Sequence, residues 1–143
     1  SARYAAAQHA FRKAIECWPR QASEADAPAE SLIFLAHAKA MLAAAHKDAR
    51  DFALAENEFL DAISLHHEVL ERDPGNARAK HLAGIAYTDL ALLRLSQREL
   101  QSALRSLEKS IEFKEDYFSA HPYDAEGEFQ LGFSCHMLGE LHV

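Results

Sequence analysis

Cysteine is nearly absent from this chain. Cys17 and Cys135 stand far apart, with neither the paired spacing of a zinc site nor the density of a disulfide framework. They read as buried or idle thiols. Proline and glycine are scarce, 4 and 5 residues, and nearly all of them fall at turns or at small-residue packing positions. No segment alternates apolar and polar residues as a half-buried strand would. No apolar run approaches the roughly 20 residues needed to cross a bilayer, and no signal-peptide pattern is visible. Positive charge is in deficit: Lys and Arg number 15 against 22 Asp and Glu, a net charge of −7. Such a chain lacks the basic clusters that contact phosphate and is repelled by anionic lipid. Neither nucleic acid nor direct membrane contact is expected, and a cytoplasmic location is.

What the chain does have is alanine and other apolar residues, 49% of it, arranged with a period. Ala29, Ala77 and Ala125 each follow a turn residue (Pro28, Asn76, Asp124), at spacings of 48 and 48 (77 − 29 and 125 − 77). Other positions keep that register. Leu35, Ala83 and Leu131 align, followed by Ala36, Gly84 and Gly132. Leu42, Leu90 and Leu138 align. So do Ala7, Ala55 and Ala103; Phe11, Phe59 and Leu107; Ala14, Ala62 and Ser110; Ile15, Ile63 and Ile111. A fixed period of this order marks a stacked repeat protein, in which each unit buries its apolar face only against its neighbours.

Helical spacing of the apolar residues predicts six helices, over 2–17, 29–47, 49–72, 77–95, 97–119 and from 125 onward. Trp18-Pro19 ends or kinks the first, because proline cannot donate to the helix ladder. The polar stretch 20–27 reads as a loop. Asp73-Pro74-Gly75 stops a helix and Asn76 caps the next. Asp48 and Ser96 are expected N-caps, Ser96-x-x-Glu99 forming a capping box. His121-Pro122 breaks the fifth helix and Asp124 starts the last. The expected domain is a single all-α stack of antiparallel hairpins, an α-solenoid, over 1–143. Residues 1–28 supply the second half of a repeat, 29–76 and 77–124 whole repeats, and 125–143 the first helix of another. A chain that opens in mid-pattern and stops after one helix reads as a piece of a longer protein.

At these residues the chain resembles the tetratricopeptide repeat family. The matching segments are Ala83-Gly84-x2-Tyr87, Leu131-Gly132-x2-Cys135-x3-Gly139-Glu140, Ala55-x3-Phe59-x2-Ala62 and Ala7-x3-Phe11-x2-Ala14-x4-Pro19. Each helix here is about seven residues, or two turns, longer than the family's, which keeps the apolar face in phase. The long units also resemble repeats of large bacterial signalling proteins, such as tails of serine/threonine kinases.

The resemblance implies a non-catalytic scaffold that binds a protein or peptide on a concave face lined by the first helix of each unit. Carried over, that face comprises Glu30, Ile33, His37, Ala40 and Met41; Arg78, His81, Ile85, Thr88 and Asp89; and Glu126, Phe129, Phe133, His136 and Met137. Its mixture of apolar, aromatic and imidazole side chains suits a peptide with apolar anchors. Ile33, Ile85 and Phe133 read equally well as core between repeats. The Lys, Asn and Arg with which some family members grip a terminal carboxylate are replaced by Ile33, His37, His81 and Ile85, so binding of that type is not expected.

Chemistry is harder to find. His66-His67-Glu68 places neighbours on different faces of a helix and makes a poor chelate. His136-x3-Glu140 has the spacing of a shared ion, but the His-Glu-x-x-His motif is absent. No nucleophile elbow or phosphate loop is present, and the acids Glu56/Glu58 and Glu112/Glu115/Asp116 read as solvated faces. No enzyme activity, metal or cofactor is expected. The alternatives to a peptide-binding scaffold are a structural or self-associating arm of a signalling protein, joined through the repeat ends, and a small-molecule or metal sensor.

Overall fold

The computed structural model describes residues 2–17 and 28–141, apart from the side chains of Ile15 and Cys17. The expected break at Trp18-Pro19, the loop over 20–27, the packing of Ile15 and the state of the Cys17 thiol lie outside the described residues. Among these residues the chain is all helix: α1 (Ala2–Cys17), α2 (Ala29–Asp48), α3 (Phe52–Arg72), α4 (Ala77–Ser96), α5 (Leu100–Ala120) and α6 (Ala125–Leu141). It divides into two compact units, Ser1–Asn76 and Ala77–Val143.

In the first unit α2 packs against both α1 and α3. This explains why α2 is apolar nearly all the way round, with Leu32, Ile33, Ala36, Ala38 and Ala43 all buried, whereas a helix with one packed side needs only a stripe. α3 has that stripe: Ala55, Phe59, Ala62, Ile63, His66 and Val69 are buried, at three- and four-residue steps. The cross-helix pairs Lys39–Asp61 (3.2 Å) and His46–Glu58 (2.7 Å) run in opposite senses along the two helices, so the hairpin is antiparallel. Glu58 is thus a half-buried partner of His46 and not part of a solvated face.

In the second unit α5 packs extensively on α4 and less extensively on α6, while α4 and α6 touch only sparsely. Thr88–Ser110, Gly84–Lys114 and His81–Tyr117 again run antiparallel. Ala7, Ala55 and Ala103 are all fully buried, as are Ala14, Ala62 and Ser110.

The turns within the hairpins correct the expected caps. Asp48 and Ser96 do not open the following helices; they are the last residues of α2 and α4. The Ser96 hydroxyl donates back to the Leu92 carbonyl. The helices end in a paired C-terminal motif. The N–H of Arg50 meets the Lys47 carbonyl and that of Asp51 the His46 carbonyl; Arg98 meets Leu95 and Glu99 meets Arg94 in the same way. This six-to-one, five-to-two pattern needs a left-handed residue. Arg50 (φ 64°) and Arg98 (φ 61°) supply it at equivalent places. A Cβ is disfavoured there by roughly 1 kcal/mol or more, so Arg50→Gly and Arg98→Gly are each expected to raise stability by about 0.5–1 kcal/mol, read from urea denaturation. A fall in stability would show that the arginine side chains hold the turns.

Asp124 behaves as expected. Its carboxylate accepts the Glu126 N–H (3.0 Å) and its carbonyl the Glu128 N–H, which starts α6.

Candidate binding surface and a buried lysine

The residues expected to line a binding face fall into two sets. Ile33, His37 and Met41 belong to the first unit; Arg78, His81, Ile85, Thr88, Asp89, Glu126, Phe129, Phe133 and His136 belong to the second. Two of them correct the expectation. Ile33 is only 3% exposed and Thr88 4%, so neither offers its side chain to a ligand. Ile33 is core, and the Thr88 hydroxyl is taken up by neighbours. Met137 is also buried. His37, Met41, His81, Ile85 and Asp89 are half-buried, while Arg78, Glu126, Phe129, Phe133 and His136 are exposed.

On α6, Phe129 and Phe133 stack on each other with ring centroids 6.3 Å apart, yet stay 63% and 40% exposed. His136 pairs with Glu140 at 3.2 Å on the same surface. On α4, His81 lies against the Tyr117 ring of α5 (4.6 Å), and Tyr117 stacks in turn on His121 (4.5 Å). The Tyr117 hydroxyl donates to Asp124. That bond lowers the acid's pKa and raises the phenol's. Gly127 admits the Tyr117 ring: a Cβ there would stand 2.9 Å from it. Partial burial lowers the His81 pKa, against the pull of Asp124 and Glu126.

Beneath this surface lies a buried cation that no sequence motif marks. Lys114 of α5 is 2% exposed. Its ammonium donates to Thr88 Oγ1 on α4 (2.7 Å), to Ser134 Oγ on α6 (2.7 Å) and to Gln130 Oε1 on α6 (3.2 Å), using all three protons. Ser110 donates to the Gly84 carbonyl (2.8 Å). The Thr88 proton then goes to Ser110 (2.6 Å), and Ser134 has Thr88 within 3.1 Å. The chain of donors therefore closes, as a buried polar network must. Gly84 is part of it, since a Cβ there would stand 2.9 Å from Lys114 Cγ. No carboxylate of the described residues is bonded to the ammonium, and burial lowers its pKa to about 8.

The signal for this network was present in the repeat register. Lys114 stands where the first unit has His66, Thr88 where it has Ala40, and Ser110 where it has Ala62; Ser134 stands in register with Ala86. Hydroxyls replace alanines around a single long cation. In the first unit His66 is itself buried, with His37 and His67 near enough to act on its charge. Desolvation first, and those imidazoles second, bring its pKa to about 4. It is a neutral packing residue whose Nδ1 finds no hydrogen-bond partner among the described residues. No three His, Cys, Asp or Glu side chains of the described residues converge as a metal site would need. No helix of the described residues is long and apolar enough to cross a membrane. No protein-family model and no curated protein sequence matches the chain.

Proposed function

We propose that this chain is a tetratricopeptide-like solenoid segment, a non-catalytic scaffold that binds a partner protein or peptide through side chains of its first-position helices. The observation that carries this reading is the α6 surface. Two stacked phenylalanines stay open to water beside His136, and exposed apolar clusters of this kind mark interaction sites. His81, Ile85 and Arg78 on α4 extend the same chemistry within the second unit. Ile33 and Thr88 take no part in recognition, so the surface is narrower than the family pattern implies. The polar network around Lys114 supports the surface by fixing α6 to α5.

The test is affinity capture with the chain as bait, followed by the double variant His81→Ala, Phe133→Ala. Loss of about 2 kcal/mol or more of affinity for a captured partner is expected when such anchors are truncated. A partner retained at unchanged affinity would reject this surface as the binding site.

A further inference from the structure

The two units carry different basic side chains at one buried position. His66 of α3 and Lys114 of α5 are in register at the 48-residue spacing, and both are closed off from solvent, at 1% and 2% exposure. The second unit is built to hold a cation there: Thr88, Ser134 and Gln130 turn three oxygens toward the Lys114 ammonium. The first unit is not. The α2 residue in register with Thr88 is Ala40, which has no hydroxyl, and His66 Nδ1 has no hydrogen-bond partner among the described residues.

A neutral imidazole tolerates this, because one of its ring nitrogens carries no proton. An imidazolium does not. Both of its nitrogens donate, so a second proton leaves an N–H at Nδ1 without an acceptor. It also buries a charge, which is costly unless the charge is paired. The groups that act on a charge at His66 are His37 of α2, the helix packed on α3, and His67 of α3 itself. Both are bases, so any charge they carry is positive and repels the proton. No carboxylate of the described residues is among them. α3 lies in the interior of the chain, away from both termini.

We propose that acid opens the first unit: a proton taken up by His66 is accommodated only when α3 leaves α2, while the second unit, whose buried cation is already charged and bonded, stays folded. The proposal is independent of what the chain binds. The folded chain keeps His66 neutral down to about pH 4, whereas the unfolded chain takes up the proton near 6.5. The first unit therefore has its full stability above that upper value and loses it as pH falls toward the lower one. Lys114 is protonated across this whole range, its pKa being about 8.

Hydrogen exchange of the full chain, native and His66→Leu, read by mass spectrometry at pH 7 and pH 5, tests this. Comparing the two proteins at each pH cancels intrinsic exchange and the other titrating groups, His46 and His81 among them. From pH 7 to pH 5 the amides of α3 are expected to lose about twentyfold more protection in the native chain than in His66→Leu, and those of α5 to change alike in both. The same pH dependence of α3 in both proteins overturns the proposal. So does a loss that α5 shares with α3, since acid would then unfold the chain as a whole. A second reading does not need the variant to fold. In NMR of the native chain the His66 Cε1–H signal is expected to keep its neutral-imidazole position to pH 5 for as long as the α3 amides stay protected. A titration midpoint near 6.5 in the folded chain overturns the proposal, because the core would then have accepted the proton.

Discussion

Replacing Phe59 by alanine is expected to cost the first unit about 3–5 kcal/mol, a large part of the stability of an ordinary domain. Phe59 is the largest fully buried side chain among the described residues, at 1% exposure. It projects from α3, the helix that packs on α2, and its neighbours in sequence show what burial adds. Leu60, the next residue, is 42% exposed. Leu60→Ala removes three carbons where Phe59→Ala removes six, and at an exposed site it leaves no cavity, so it is expected to cost under about 1 kcal/mol. Urea denaturation of both variants followed by circular dichroism makes the comparison. Equal losses would mean that α3 does not present Phe59 to the core.

Lys114 carries the second large effect, and its size depends on what replaces it. Lys114→Ala removes the stem packed against Gly84 and strips Thr88, Ser134 and Gln130 of their donor. A loss of about 3 kcal/mol is expected. Lys114→Met keeps the stem and removes the charge. The hydroxyls can still satisfy one another through Ser110 and the Gly84 carbonyl. Replacing a buried charge by an apolar residue of like shape is often neutral or stabilising, so this variant is expected within about 1 kcal/mol of the native chain.

The same lysine sets a pH dependence. Burial first lowers its pKa, against the pull of Asp89, Cys135 and Glu126, from 10.5 to about 8. Between those values the unfolded chain holds a proton that the folded chain has released. Stability therefore rises with pH through that window, and the penalty of the buried charge is fully present below pH 8. The native chain is expected to gain about 2 kcal/mol relative to Lys114→Met between pH 7 and pH 10. Denaturation midpoints of the two proteins at each pH give the difference directly, and a difference that stays flat would show that the ammonium remains hydrated.

The helices and their inward faces were legible in the amino-acid order because they depend on local periodicity. Ala7, Ala55 and Ala103, or Phe59 and Leu107, must point inward in any packing of helices with those stripes. Asp48 and Ser96 end helices where their residue types suit the start of one, for a reason that is also local. Two backbone motifs compete at such a turn, and a left-handed residue that is not glycine, Arg50 or Arg98, leaves no mark in the sequence. The candidate surface was legible only in part. A position in a repeat fixes which side of a helix a residue occupies, but not whether another element covers that side.

The order of residues alone thus settled the all-helical class, the apolar stripes and the repeat spacing, because each follows from side-chain chemistry at steps of three and four. Only the tertiary structure decided which polar groups are buried together. Thr88, Ser110, Lys114 and Ser134 come from three helices, and it is the approach of α5 to α4 and α6 that turns three scattered hydroxyls and one lysine into a closed network. The same packing leaves Phe129, Gly132 and Phe133 open, because burial belongs to the neighbours of a residue and not to the residue itself.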